Sequence, residues 1–502
     1  MDCLPDFDTF KERYEAGEAQ VVYTRLVADL ETPVSAFMKL ADNRPEAFLL
    51  ESVEGGAVRG RYSFIGLKPD VIWRCFGDKA ELNRRALIDP TAFEAHSLPA
   101  LASLRALEQE SRIDMPDELP PMAAGLVGYM GYDCVRLVEN IPDGNTDVLG
   151  LPDGIFMRPT LIAAFDNIED VVTIVTPVRP DGETSAVAAY EKALERLADL
   201  RDGLSRPLPY TMDPRSSNAP DAEPVSNMTQ DDYCGMVEKA KEYILAGDIF
   251  QVVLSQRFEQ PFDLPPFSLY RALRRTNPSP FLFYMAFRRF SIVGSSPEIL
   301  VRLRDGKVTI RPIAGTRPRG EDRDEDLRLE QELLADPKER AEHLMLLDLG
   351  RNDVGRVSKI GTVKVTEQFI VERYSHVMHI VSNVEGGIKD DEDALTALMA
   401  GFPAGTVSGA PKVRAMEIIE ELEPDRRGIY AGCIGYFGAD GSMDTCIVLR
   451  TGIVKDGKLL IQAGAGIVAD SDPVSEHREC VNKAKALVRA AQEAVRFASG
   501  RN

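Results

Sequence analysis

Four glutamates at a repeated spacing are the first sign of chemistry in this chain. Glu476, Glu479 and Lys483 stand at i, i+3 and i+7, which puts both carboxylates on one face of a helix. Taken alone, Glu479 and Lys483 are an ordinary solvated i,i+4 pair worth about 0.3–0.5 kcal/mol. Glu339 and Glu342 repeat the spacing, and Glu342 shares a helical row with Met345, Leu346 and Leu349, where an ionised side chain needs a partner. Four carboxylates on two helices, with no Cys or His at matching spacing, suit a hard ion such as Mg²⁺ better than zinc.

Other groups suit an anion or a proton transfer. Gly464-Ala465-Gly466 follows an apolar stretch, and GAGIVA fits G-x-G-x-x-A only superficially. The dinucleotide fingerprint needs a helix opening within the glycines and an acid about 20 residues on, ending a second strand. Here Asp470 to Pro473 delays the helix, and position 486 falls inside it. The glycines suit either a plain turn or the close approach of backbone N–H groups to an anion. Arg450 closes the alternation Cys446, Val448, Arg450, so a guanidinium ends an apolar face, as an anion ligand or as half of a structural ion pair. Gly315-Thr316-Arg317 offers a turn with a hydroxyl and free N–H groups. Ser295-Ser296-Pro297-Glu298 sets a carboxylate just past a strand end, a place for a general acid or for an exposed loop Glu. His343, His376 and His379 crowd together, each with a hydrogen-bonded core histidine as the plain alternative. No nucleophile elbow and no G-x-x-x-x-G-K-[ST] phosphate loop occurs.

The elements that must carry these groups are legible from periodicity. Thr229 with Asp232 resembles a capping box ahead of Tyr233, Met236, Val237, Ala240 and Ile244 at helical spacing. Gly247-Asp248 stops that helix. Ile249 to Phe258 then reads as a strand with Phe250, Val252, Leu254 and Phe258 on its apolar face and Gln251, Ser255 and Arg257 on the other. Further strands are expected at 281–287, 290–294, 299–303, 308–313, 362–366, 429–437, 445–453 and 459–463, and helices at 336–349, 394–399, 411–422 and 473–495. Runs of strands without an intervening helix favour an α+β fold. Earlier in the chain, Thr32-Pro33 opens a short helix, 47–53 and 58–65 read as strands, and 187–204 reads as a helix. Ser205 to Asn227 holds five prolines and almost no large apolar residues, so it reads as a linker between a first domain, 1–204, and a second, 228–498.

Composition removes several functions. The 502 residues carry a net charge of -21, which excludes sequence-independent nucleic-acid binding. The first twenty residues have no apolar h-region, and no apolar run approaches the ~20 residues of a membrane span, so a cytoplasmic protein without membrane contact is expected. Seven scattered Cys with no C-x-x-C pair argue for reduced thiols, against a disulfide framework or structural zinc.

Ten segments, in order, resemble the chorismate-utilising enzyme family, and within it the large, synthase components of the anthranilate synthases. They are GDIFQVVLSQRF (247–258), NPSPFLFYM (277–285), GSSPEIL (294–300), RPIAGTRPRG (311–320), EHLMLLDLGRND (342–353), RYSHVMHIVSNVEG (373–386), FPAGTVSGAPK (402–412), YAGCIGYFG (430–438), DTCIVLRT (444–451) and AGAGIVADSDPVSEHRECVNKA (463–484). They span the whole second domain. LLES (49–52) in the first is similar to the family's tryptophan feedback motif.

The resemblance implies an α+β fold of layered sheets and helices, a two-domain β/α/α/β sandwich, and a reaction on the dianion chorismate. By resemblance, Mg²⁺ sits on Glu342 and Glu479, with Glu339 and Glu476 in support, and neutralises the ring carboxylate. Arg450, Tyr430 and the backbone of Gly464, Ala465 and Gly466 hold the other carboxylate, Lys483 adds a cation, and Gly315 and Thr316 contact the substrate. Ammonia attacks ring C2, the C4 hydroxyl leaves with a proton from Glu298, and pyruvate is eliminated with His379 and Thr406 nearby. Such an acid needs a pKa raised by burial.

Isochorismate and salicylate synthases carry Lys where Gln251 stands, because water must be deprotonated before it attacks, and aminodeoxychorismate synthase has Lys in place of Ala314. Both positions point to anthranilate here. The resemblance further implies a separate glutamine amidotransferase subunit, the second component, which delivers ammonia through a channel in a heterotetramer, since no amidotransferase follows the helix of Lys483. Tryptophan is expected between Glu51-Ser52 and Pro280-Phe281-Leu282, in the first domain's feedback role, while the loop 53–60 beside Arg61 departs from the family pattern. The alternatives are an aminating enzyme that stops at the aminodeoxyisochorismate stage, and a catalytically silent tryptophan sensor or partner-binding protein.

Overall fold

The computed structural model describes residues 2–41, 44–54, 58–209, 223–374 and 377–498, so His376 lies outside the described residues. Local signals act as the sequence predicts at the start of the second half. Thr229 and Asp232 form the reciprocal capping box of the helix Gln230–Ala246, and Gly247 ends it at φ 83°, a left-handed position that suits glycine. The strand Gln251–Pro261 follows. Its burial departs from the expected alternation, since Gln251 to Phe258 are all buried, whereas Phe250 precedes the strand and is 72% exposed.

Three other expectations need correction. The stretch 308–313 breaks at Arg311-Pro312 into Lys307–Ile310 and Ile313–Pro318, where proline has no N–H for a ladder. The stretch 445–453 breaks before Arg450 into Met443–Ile447 and Thr451–Lys455. Of the two readings open for Gly464-Ala465-Gly466, the plain turn does not hold. The segment lies inside the strand Lys458–Ile467, with Gly464 opposite Ser255 and Gly466 opposite Val253. The strand Val377–Gly387 was not expected, and it pairs with Lys307–Ile310, Ile313–Pro318 and Lys364–Arg373.

Among the described residues, two parts of one 22-stranded antiparallel sheet face each other. Phe283, Met285 and Ile292 from one side and Val127, Tyr129, Ile434 and Tyr436 from the other form a single apolar cluster of strand and loop residues. The outer faces pack on helices. Ala36, Leu197, Leu273 and Leu487 cover one, and Val237, Leu347, Leu398 and Ile418 cover the other. The layers therefore run helix, sheet, sheet, helix. The fold is α+β, as read, a layered arrangement of antiparallel sheet and helices. Burial gives the reason: Phe290–Ser296 and Gln251 to Phe258 are buried on both faces and need cover on both sides, whereas a helix with one apolar stripe needs only one.

Strands from before and after residues 205–227 pair directly. Ala47–Glu54 runs antiparallel to Phe281–Ala286, and Gly125–Met130 to Cys433–Gly438. All seven Cys are free. Among the described residues, no helix is long and apolar enough to cross a membrane.

Candidate active site

A cavity of about 580 Å³ collects Thr316, Tyr374, His379, Arg450, Glu479 and Lys483. Arg450 turns the chain between two strands at φ 49°. A non-glycine residue there costs roughly 1–2 kcal/mol. Burial lowers the pKa of its guanidinium, with Tyr374 opposing. No ion pair to Arg450 is present among the described residues, so the structural ion pair that the sequence left open is not formed. A half-buried cation of this kind is costly until an anion joins it.

Gly315 and Thr316 are aimed by a β-bulge. Ala314 pairs with Ile380 and Arg317 with Met378, so two residues oppose His379 alone. Gly315 takes φ 69°, and a Cβ there would meet Glu339 Oε2 at 3.1 Å. Its carbonyl lies 2.8 Å from His379 Nδ1, with Thr316 Oγ1 at 3.2 Å. A carbonyl only accepts, so Nδ1 carries the proton in that bond and Nε2 keeps a lone pair. Burial, with Arg450 adding to it, lowers the pKa of His379 and keeps the ring neutral. His343 is a core histidine, 2.7 Å from Ser382 Oγ, with burial pushing its pKa down to about 4.

Glu298 is buried between two strands, 6% exposed, so the exposed-loop alternative does not apply. Burial raises its pKa from the ordinary 4.5 to about 8, against a hydrogen bond donated by Thr406 Oγ1 at 3.1 Å. Its charge also reaches Tyr374, which lines the cavity. Thr406→Val removes the hydroxyl that favours the anion. Titration of the Glu298 carboxyl, followed by its C=O stretch, should then move up by about half to one pH unit. An unmoved midpoint would show that the bond has no influence.

The glutamates lie on the helices Pro337–Val357 and Pro473–Ala498. Burial raises the pKa of Glu342, with Glu339 and then Glu479 adding repulsion, and its bond from Gln251 Nε2 spans 3.5 Å. Burial likewise raises Glu476, with Glu479 adding repulsion. Glu339 pairs with Arg317 at 3.2 Å and Glu479 with Lys483 at 2.7 Å. Among the described residues, no three acids, histidines or thiols converge on one point as they stand. The donors are nonetheless hard carboxylate oxygens with more negative charge than the neighbouring cations offset, a set that fits Mg²⁺ once the Glu479–Lys483 pair opens.

Tyr430, Gln251 and the glycine strand meet next to these acids. A Cβ on Gly464 would lie 2.9 Å from the Tyr430 hydroxyl, and one on Gly466 would lie 2.4 Å from Gln251 Nε2. Lys483 Nζ donates to the Gly464 carbonyl at 2.9 Å. Ala465 is fully buried on the opposite face. Gln251 Oε1 is buried with no partner.

The residues expected to hold tryptophan also come together, with Glu51 opposite Leu282 and Ser52 opposite Phe281, next to Pro280. Glu51 is already engaged. Arg274 donates to both of its oxygens at 2.6 and 2.9 Å, and the Tyr270 hydroxyl donates as well. Arg61 pairs with Asp166 and Glu169.

The sequence reading missed Tyr374, Asn277, Ser279, Arg478 and Asn482 on the cavity wall. One signal was available. Ser475, Glu479, Asn482 and Lys483 fall at i, i+4, i+7 and i+8, a polar stripe on a helix whose opposite side carries alanines and Leu487.

Comparison with known proteins agrees with this arrangement. The model of the chorismate binding enzyme family matches residues 46–489. The chain is 59% identical over 495 residues to anthranilate synthase component 1 of Cereibacter sphaeroides, covering 99% of each. It is 48% identical to the component 1 of Pseudomonas aeruginosa, covering 92% of this chain and 94% of that one. Among solved structures, anthranilate synthase component I of Streptococcus pneumoniae aligns with a TM-score of 0.74 at 36% identity, covering 93% of this chain and 99% of that one. The menaquinone-specific isochorismate synthase of Escherichia coli aligns at 0.71 with 20% identity, over 97% and 98%, and shares the fold. On these grounds, the chain belongs to the chorismate-binding enzyme family, among its anthranilate synthase component 1 members.

Proposed function

We propose that this lyase converts chorismate and ammonia to anthranilate and pyruvate, the reaction that opens tryptophan biosynthesis. The observations that carry the reading are a buried acid, Glu298, with its pKa raised to about 8, and a half-buried cation, Arg450, on the cavity wall with no ion pair among the described residues. An acid that is protonated at neutral pH gives its proton to the departing C4 hydroxyl, while Arg450, Tyr430 and Lys483 take up a substrate carboxylate. His379, neutral with a free Nε2 lone pair, suits the acceptance of the C2 proton when pyruvate leaves. Thr406 tunes Glu298 through its hydrogen bond, and Gly315 and Thr316 orient the substrate over the bulge.

Glu342 and Glu479, supported by Glu339 and Glu476, would hold Mg²⁺, which when bound neutralises the other carboxylate. Gln251 is no base, and ammonia already has its lone pair. The unpartnered Gln251 Oε1 is an acceptor suited to an incoming N–H. Purified chain with chorismate, Mg²⁺ and excess ammonium should release pyruvate and a blue-fluorescent amine, and chelation of Mg²⁺ should stop both. An accumulating non-fluorescent amine would favour the enzyme that stops at aminodeoxyisochorismate. No turnover with tight tryptophan binding would favour the silent sensor.

Free ammonia is scarce at neutral pH, so the reading includes a glutamine amidotransferase partner, the second component, in a heterotetramer, in the cytoplasm. Regulation by tryptophan is proposed at the strand pair of Ser52 and Phe281. Glu51 is neutralised by Arg274, so the ligand's ammonium must share or displace that guanidinium. Ser52→Phe fills the space beside Gly60, where a Cβ would already lie 2.5 Å from Ser52 Oγ. Tryptophan inhibition of the ammonium-dependent reaction should weaken by about ten-fold or more, as for a coupling of 1–3 kcal/mol, with uninhibited turnover preserved. Equal sensitivity in both proteins would remove the site from this place.

A further inference from the structure

We propose that a small cavity behind Glu298 holds one water, and that this water returns a proton from Asp353 to Glu298 after each turnover. The proposal rests on the reading above, that Glu298 gives its proton to the departing C4 hydroxyl. Glu298 stands between two cavities. Its chain neighbour Pro297 lines the 580 Å³ cavity, whereas Glu298 itself lines a second one of about 20 Å³. Asp353, Thr406, Gly350, Gly401 and Gly405 share the wall of the small one. A volume of about this size is enough for one water that has two or more polar partners.

The polar partners are present. Thr406 Oγ1 donates to Glu298 Oε2 at 3.1 Å. Asp353 is buried on the helix Pro337–Val357, and Lys412 Nζ donates to its Oδ2 at 2.8 Å. The same ammonium reaches the carbonyl of Gly401, another wall residue, at 3.3 Å. Asp353 Oδ1 accepts no hydrogen bond among the described residues. A structural ion pair accounts for Oδ2 and Lys412, but a buried pair adds little stability and leaves the second oxygen unexplained. The charges acting on Asp353 are Lys412, from the facing helix Lys412–Leu422, and Arg356, from its own helix. Burial outweighs both and raises its pKa, as it raises that of Glu298. The Thr406 hydroxyl and the Ile313 N–H are the groups that face Glu298, and its charge reaches Tyr374. Both carboxyls therefore hold a proton more readily than an ordinary acid, and a transfer between them is not steeply uphill.

The proton balance of the reaction requires such a return. The C4 hydroxyl takes the Glu298 proton and leaves as water, so Glu298 ends the step as a carboxylate. An O–H bond of the cavity water then breaks as its proton joins Glu298, and the O–H of Asp353 breaks to restore the water. Asp353 recovers its proton from solvent beside Lys412, which is partly exposed. The attacking nitrogen sheds one proton to solvent in the same turnover, so one proton leaves and one returns. Nothing is oxidised or reduced.

The test places a methyl group in the small cavity. A Cβ on Gly350, inside its helix, would meet Ile310, Val384 and Pro312 at 3.5, 3.8 and 3.9 Å, which are ordinary contacts. Ile310 and Pro312 also line the cavity, so Gly350→Ala takes the water's place without displacing a neighbour, and alanine is the better helix former. With chorismate, Mg²⁺ and saturating ammonium, the first turnover of this variant should match wild type, because Glu298 starts protonated. Later turnovers wait for the proton. Steady-state kcat should therefore fall by about ten-fold or more while kcat/KM for chorismate stays within about two-fold. Rapid quenching should show a burst of about one anthranilate per chain, and the solvent deuterium effect on kcat should exceed that on kcat/KM. Asp353→Asn, which keeps the shape but carries no acid proton, should show the same split. Wild-type kcat in either variant overturns the relay and leaves the parent reading intact. An equal fall of kcat and kcat/KM in Gly350→Ala also overturns it, because that result marks damage to Glu298 itself. A wild-type chain without ammonium-driven turnover overturns the parent reading and the relay with it.

Discussion

Glu298→Gln should lower ammonium-dependent turnover by about 10²–10⁴-fold, the usual contribution of a positioned general acid. Substrate affinity should change little, because the side chain keeps its size and its bond to Thr406. The wild-type rate should be high at neutral pH and fall as pH rises through about 8, where Glu298 loses its proton. The residual rate of the variant should lack that alkaline limb. Stability should move the other way. The folded pKa stands above the unfolded 4.5, so the folded state binds the extra proton, and stability drops as pH rises from about 4.5 towards 8. At pH 7 the cost is on the order of 3 kcal/mol, which the amide avoids. A variant that is more stable and flatter in its pH-stability profile, yet nearly inactive, is the expected signature. An active variant would remove Glu298 from the chemistry.

The second large effect is at Arg450. Arg450→Met should reduce kcat/KM for chorismate by about 10²–10³-fold, since losing one member of a buried charge pair costs roughly 2–5 kcal/mol. Without substrate the guanidinium is half-buried and has no carboxylate partner among the described residues, so its removal should raise the unfolding midpoint, by about 1–2 °C for each kcal/mol relieved in a chain of this length. An unchanged KM together with a lowered midpoint would mark Arg450 as structural.

Local signals in the sequence located most of the elements that carry these groups. The capping box of Thr229, the stop at Gly247 and the i, i+3 glutamates depend on neighbours within one or two turns, and they appear as read. Glu298 was visible as a carboxylate held past a strand end. Its burial was not, because that depends on Thr406 and on strands far away in sequence. The same distance hid the break at Arg450, whose left-handed conformation is set by pairing with Phe290–Ser296 on one side and Ile299–Arg304 on the other. For Gly464 to Gly466 the sequence left a plain turn and a close backbone approach to an anion both open, because glycine suits either. Tyr430 and Gln251, more than thirty and two hundred positions away, are what require glycine in the strand. Arg274 on Glu51 and Arg317 on Glu339 were likewise unforeseen, since no local rule links partners so distant in sequence.

The most direct test of the central claim is the fate of labelled nitrogen. The purified chain, supplied with chorismate, Mg²⁺ and ¹⁵N-ammonium, should yield anthranilate carrying one ¹⁵N, with one pyruvate per anthranilate by mass spectrometry of the quenched reaction. An unlabelled hydroxylated product, or a labelled amine still bearing its enolpyruvyl group with no pyruvate released, would contradict it.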